Sequence, residues 1–421
     1  MSARSLRSRQ RTLVSAVLFL AVGGLITFRT ASTLNVPGHP EVPGYGLHDF
    51  RDVVYYPAVA VLDGRNPYEP AVFRSAYPVA RPLAPYAPTM LLLHLPLGLL
   101  PYQVAEWVHF AFNMALMLVV AFLSLEGCGL STATAAVFGL GALILLGRPA
   151  HMTLYIGQCA AYLVAATYLA LLLGERRPVL AGVALAVACA KPTFGLPLCA
   201  AMLARGDRVA LAWGLGIAAV AGAAMLAVLS PSAGGFVPLV ASIRDSYARL
   251  MQDPSANAAS SIIRTDAVAP ISRVFGVPLV GSIASVAIIG VGITAVWRIV
   301  RGGRPDARLR SACVACVTIL ACTYHQSYDG LLLTLPLVAV ASGRLGGLPL
   351  PRALALVAML VPFANYLATD TAVDTLALDH VARAFVGSVN GVALFVAFVS
   401  IMVVAAGGQG IERPVAADLV G

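Results

Sequence analysis

Six apolar runs, residues 12–28, 104–125, 133–146, 209–229, 280–297 and 386–406, recur from one end of a 421-residue chain to the other. Each approaches or reaches the roughly 20 residues that a helix needs to cross about 30 Å of hydrocarbon. A closed β-barrel would alternate polar and apolar residues, and these runs do not, so helices are the remaining way to satisfy the backbone in lipid. With 59% hydrophobic residues and a mean hydropathy of +0.85, the chain reads as an all-α polytopic membrane protein, one integral domain over residues 1–421.

The first run follows Arg4, Arg7, Arg9 and Arg11. No small-residue cleavage site clearly follows it, so it reads as a retained anchor helix. The net charge of +9 would point to nucleic acid in a soluble protein. Here most arginines stand beside apolar segments, where they orient the chain, and no nucleic-acid partner is implied. Seven cysteines lie mostly within apolar segments, where a thiol packs like a small hydrophobe. Cys313 and Cys316 have the spacing of a zinc or redox pair but lack a second ligand pair nearby, and packing is the better reading.

Positive clusters mark the cytoplasmic ends: the N-terminal arginines, Arg176 with Arg177, Arg205 with Arg208, the group from Arg298 to Arg310, and Arg344 with Arg352. If all face inward, about twelve crossings follow with both termini inside, provided residues 87–100, hemmed by Pro85, Pro88, Pro96 and Pro101, dip in without crossing. Two long segments, 30–103 and 231–277, then lie outside, rich in Pro, Gly, Tyr and charge and able to hold short surface helices. Short turns at 148–158, 191–192, 324–329 and 369–383 meet the same side. Polar chemistry is thus expected at the extracytoplasmic face of a cell membrane.

Lys191 is the sole lysine. It parts the stretches 179–190 and 194–203, each too short to span comfortably, and Pro192 follows it. A charge at such a break is costly and needs a partner, which makes it a phosphate-site candidate; a lysine snorkelling at a helix end is the plainer alternative. His325 and Asp329 stand at i and i+4 and would share a face if a helix ran through them. Arg148, His151 and Gln158 form a third polar turn. In the first external segment Asp49, Arg51, Asp52, Tyr55 and Tyr56 gather ahead of the turn signal Asp63-Gly64-Arg65-Asn66-Pro67. A helix over 52–62 would carry an acidic residue in its first turn, where capping alone explains one aspartate. It does not explain the density of carboxylates and aromatic rings, a pattern suited to a base meeting a hydroxylated ligand. No nucleotide-binding loop, zinc-protease motif or Asp-x-Asp pair is present, so no metal or cofactor is expected.

At these residues the chain resembles glycosyltransferase family 87, polyprenyl-phosphate-dependent members of the C-type membrane glycosyltransferases. The likeness rests on Asp52-Val-Val-Tyr-Tyr with Leu62-Asp-Gly-Arg-Asn-Pro-Tyr, on Gly157-Gln158, on Ala181-Gly182 leading to Lys191-Pro192, and on His325 with Tyr328-Asp329. The resemblance implies an inverting transferase that moves mannose, or next arabinofuranose, from a polyprenyl phosphate to a cell-envelope glycolipid or polysaccharide outside the membrane. It implies a first-loop carboxylate as general base, carried onto Asp52 by its distance to the tyrosine pair, with Asp49 as second candidate. Displacing phosphate from an anomeric carbon also needs positive charge at the leaving group, from Lys191 helped by His325, Arg148 or His151. Tyr55, Tyr56, Gln158, Tyr328 and Asp329 complete the expected substrate contacts. A secondary transporter or flippase is the competing class. It predicts internal repeats and charges at mid-bilayer, whereas these polar residues gather at one face.

Overall fold

The computed structural model describes residues 3–34, 45–81, 86–276 and 278–407. Pro85 and parts of the first external segment lie outside the described residues, as do the side chains of Arg4 and Arg7. Among the described residues every regular element is a helix, and no strand forms. The all-α class is therefore the observed one.

Among the described residues, five helices are long and apolar enough to cross a membrane: Ser8–Ser32, Tyr102–Gly127, Arg208–Leu229, Leu279–Arg301 and His380–Ala406. A sixth span is available if Thr134–Leu146 and Arg148–Ile156, bent by 76° at Gly147, count as one. Five shorter apolar helices, among them Pro88–Gly98, Pro178–Ala188 and Pro349–Ala364, accompany them. The apolar runs thus all became helix, but the count of full-length spans is about half of the twelve crossings that charge placement alone would give.

The innermost element is Ala307–Cys322, whose residues 310–322 are all buried. Its side chains are mostly small, and small residues let helices approach where lipid supplies no hydrophobic drive for association. Gly292 illustrates the closeness: a Cβ there would lie 2.3 Å from the Thr318 hydroxyl. Cys313, Cys316 and Cys322 are free thiols buried in this contact.

Proline and glycine set the breaks that shape the polar end of the bundle. Lys191 is extended (φ −113°, ψ 105°) because Pro192 follows it, and Pro192 then opens the Pro192–Arg205 helix. Gly157, at φ +76°, ends the Arg148–Ile156 helix and turns the chain so that the Gln158 amide N–H donates to the Thr153 carbonyl at 2.9 Å. Before Pro57 the chain forms a π-helix, Phe50–Tyr55, in which the Tyr56 N–H reaches the Arg51 carbonyl, and only then the α-helix Tyr56–Leu62. A proline ring clashes with the carbonyl four residues back in an α-helix, and a wider turn relieves it.

Candidate active site

One cavity of about 500 Å³ opens at this end of the bundle. Its walls come from far-separated segments: Asp49 and Val53 of the segment 45–81, Gln158 after the Gly157 turn, Lys191 and Thr193 at the helix break, Tyr247 and Arg249 of the surface helix Phe236–Gln252, and Tyr324 and Tyr328 beyond the buried helix. Asp49 and Lys191 therefore share one chamber.

Asp49 stands at the start of the π-helix. With more than four residues to a π-turn, Val53 nearly completes a turn from Asp49 and faces the same cavity, while Asp52 is swung away. One Asp49 oxygen takes a bond from His48 Nε2 at 2.9 Å, and the other accepts from Gln158 Nε2 at 2.5 Å. Burial pushes the Asp49 carboxyl up, but the charge and hydrogen bond of His48, the Gln158 amide and the charge of Arg81 outweigh it, and its pKa lies below the usual carboxylate value. Leu47, fully buried, precedes the pair at φ +57°, a costly conformation for a leucine, held by its N–H donating to the Tyr155 carbonyl at 2.7 Å.

Asp52 is buried and fully engaged. It accepts from Arg51 Nε at 2.6 Å and Arg51 Nη2 at 3.1 Å, and from the backbone N–H groups of Ala80 at 3.4 Å and Arg81 at 2.9 Å. These bonds fix the chain that brings Arg81 to the cavity wall. Asp52 itself does not line the cavity.

Lys191 is 3% exposed, and its Nζ lies 2.7 Å from both oxygens of the fully buried Asp329. The rings of Phe194 and Tyr328 flank the ammonium at 5.2 Å each. His325 Nδ1 lies 2.9 Å from Asp329 Oδ2 although no α-helix runs through both: the Ala307–Cys322 helix ends first, and a 3-10 helix, Ser327–Leu333, begins between them, where Asp329 closes a capping box with Gln326. The other ring nitrogen of His325, Nε2, is buried with no partner, as is the Thr193 hydroxyl. Thr193 lies in the first turn of the Pro192–Arg205 helix, so an ammonium, a hydroxyl and a helix N-terminus converge on one wall.

Other expected residues fall elsewhere. Arg148 is fully buried and ties down the end of the Pro349–Ala364 helix and the loop after it, donating to the carbonyls of Asn365 at 2.7 Å and of Ala368. His151 pairs with Arg29 Nη1 at 3.0 Å. Neither lines the cavity. The Tyr55 hydroxyl donates to the Leu100 carbonyl at 2.8 Å, and Tyr56 stacks on Tyr102 at 5.9 Å, so both build an aromatic support behind the π-helix. Gln158 and Tyr328 do reach the cavity.

Several lining or adjoining groups escaped the sequence reading, among them His48, Arg81, Tyr86, Thr193, Tyr247 and Arg249. His48 was visible as the neighbour of Asp49, and Arg249 as a charge on an amphipathic pattern over 236–252. Nothing local marks Arg81 or Tyr86, which reach the wall through long-range bonds such as Tyr86 Oη to Gln158 Oε1 at 3.2 Å.

An all-helical membrane protein with a largely apolar chamber that carries loop carboxylates and a buried lysine in its wall defines the class. The sequence model of glycosyltransferase family 87 matches residues 85–323, more than half of the chain, and the protein belongs to that family. The match takes in Tyr86, Gln158 and Lys191, whereas Asp49, His325 and Asp329 lie beyond its ends and join the site through the fold. No curated protein and no solved structure matches the chain.

Proposed function

We propose that this glycosyltransferase moves a sugar from a polyprenyl phosphate to a hydroxyl of a cell-envelope glycolipid or polysaccharide, with inversion, at the extracytoplasmic face of the cell membrane, within a twelve-helix C-type architecture. The observation that carries the reading is that Asp49 and Lys191 line one cavity.

Asp49 is the base. As the acceptor oxygen attacks the anomeric carbon, its proton passes to an Asp49 oxygen, and the bond from that carbon to the phosphate oxygen breaks on the opposite face. The electron pair leaves with the phosphate. A carboxylate with a lowered pKa is a weak base, so the proton transfers late, once the attacking hydroxyl has become acidic; general-base assistance of this kind is worth about 10²–10⁴ in rate. The departing phosphate gains charge, which Lys191, the Thr193 hydroxyl and the helix N-terminus are suited to receive, while His325, which does not line the cavity, holds Asp329 behind them. Asp329 holds the ammonium in place by accepting from it, and Arg249 draws the phosphate toward the chamber from the surface helix. Tyr328, beside Lys191, offers a ring for the sugar to pack against.

Mannose is the first sugar to test and arabinofuranose the second. The protein in lipid nanodiscs, given polyprenyl phosphate mannose and membrane-derived acceptor lipid, should release polyprenyl phosphate and yield a mannosylated product in equal amounts. If neither lipid-linked sugar is turned over while labelled solutes are transported by the same protein in vesicles, the transferase reading of this cavity is wrong.

A further inference from the structure

Asp49 is not a lone carboxylate in the wall. His48 sits with its Nε2 2.9 Å from Asp49 Oδ1 and its Nδ1 2.9 Å from the Tyr45 carbonyl oxygen. The Tyr45 carbonyl can only accept, and so can Asp49 as a carboxylate, so the two contacts suit a ring that carries hydrogens on both nitrogens, an imidazolium. On the other side, the Gln158 side-chain oxygen receives the Tyr86 hydroxyl at 3.2 Å and the Cys159 N–H at 3.2 Å. That engagement leaves the Gln158 NH₂ group one direction to point, at Asp49 Oδ2. Each carboxylate oxygen thus has one of these partners, His48 on Oδ1 and Gln158 on Oδ2, and Asp49 lines the cavity.

We infer that His48 and Gln158 are positioning residues that hold the Asp49 carboxylate ionised and oriented toward the acceptor hydroxyl, His48 as a fixed cation and Gln158 as a fixed amide. The inference rests on the transferase reading above. Other groups face the pair as well: Arg81 acts on both His48 and Asp49, and the hydroxyls of Tyr86, Tyr324 and Tyr328 feel the Asp49 charge. None of the three phenols ionises near neutral pH, so the charges that change are those of His48 and Asp49. Burial pulls the His48 pKa down, but the charge of Asp49 and the bonds to Asp49 and Tyr45 outweigh it and leave it raised, against the opposing charge of Arg81.

Two measurements test this. The first reads stability and needs no substrate. A raised histidine contributes stability that is complete below its unfolded value of about 6.5 and is lost as pH rises through the folded value. Wild-type Tm should therefore decline above pH 6.5 relative to His48→Gln, which has no such group to titrate. If the wild-type and His48→Gln profiles run parallel above pH 6.5, the imidazolium is refuted.

The second reads turnover of polyprenyl phosphate mannose as a function of pH. His48→Gln should lower kcat about tenfold with KM little changed, and should move the acid limb of kcat up by about one pH unit, because the carboxylate loses the cation that holds its pKa low. His48→Arg should restore the limb. Gln158→Glu, which sets a second carboxylate against Asp49, should move it upward as well. An unmoved acid limb in both His48→Gln and Gln158→Glu would overturn the positioning role. Full turnover by Asp49→Asn would strike the transferase base instead, and the stability measurement would still decide the state of His48.

Discussion

Lys191 Nζ lies 2.7 Å from each carboxylate oxygen of Asp329, 138 residues further along the chain, and both side chains are buried. The only lysine of the protein is therefore neither a snorkelling marker nor a bare charge in the membrane. It is half of a buried pair whose other half is also held by His325 and by the Gln326 backbone N–H at 3.3 Å. Such a pair leaves one ammonium hydrogen for the cavity and explains why an isolated charge is tolerated at a helix break.

Removing one partner should be much worse than removing both. Lys191→Ala or Asp329→Ala strands a buried charge and should cost about 3–5 kcal/mol, while Lys191→Met with Asp329→Leu should be far milder. Thermal unfolding in detergent would check this, and the paired variant, though folded, should show no turnover.

The two aspartates of the first external segment should separate cleanly. Asp49→Asn should fold normally and lose about 10²–10⁴ in kcat. Asp52→Asn leaves Arg51 without its carboxylate and should lower stability by about 3 kcal/mol, with transfer by the surviving folded protein affected mainly in KM through Arg81. A chemical-denaturation series alongside initial rates for both variants distinguishes base from brace. The opposite assignment would appear as a stable, inactive Asp52→Asn protein.

Thr193→Val offers a test that runs against the usual direction. The hydroxyl is buried without a partner, so replacing it with an isosteric methyl should leave stability unchanged or slightly improved. If that hydroxyl waits for the donor phosphate, KM for the lipid donor should rise about tenfold in the same variant. A rise in KM with no loss in Tm is the expected signature.

Gly157 is constrained twice, by φ +76° and by a would-be Cβ 2.5 Å from the Phe50 Cβ. Gly157→Ala should cost about 1–3 kcal/mol. Because the strain presses on Phe50, next to Asp49, and shifts Gln158, kcat should fall as well. Melting temperature and turnover measured together would show both effects.

The apolar runs, the proline-bounded breaks and the lone lysine were legible along the chain because each is a local property: residue-by-residue transfer energy decides helix in lipid, and proline geometry decides where it stops. The polar turns at 148–158, 191–192 and 324–329 were also legible, since polar residues between apolar helices have few places to go. What could not be read was which side chains face one another. The wide turn before Pro57 turns Asp49 inward and Asp52 away, though their spacing to the tyrosines favoured Asp52. Arg148 and His151 look like site residues in sequence and spend their hydrogen bonds on Asn365, Ala368 and Arg29 instead. Pairing between residues more than a hundred positions apart depends on how helices pack, and packing is settled by the sum of many small contacts that no single stretch contains.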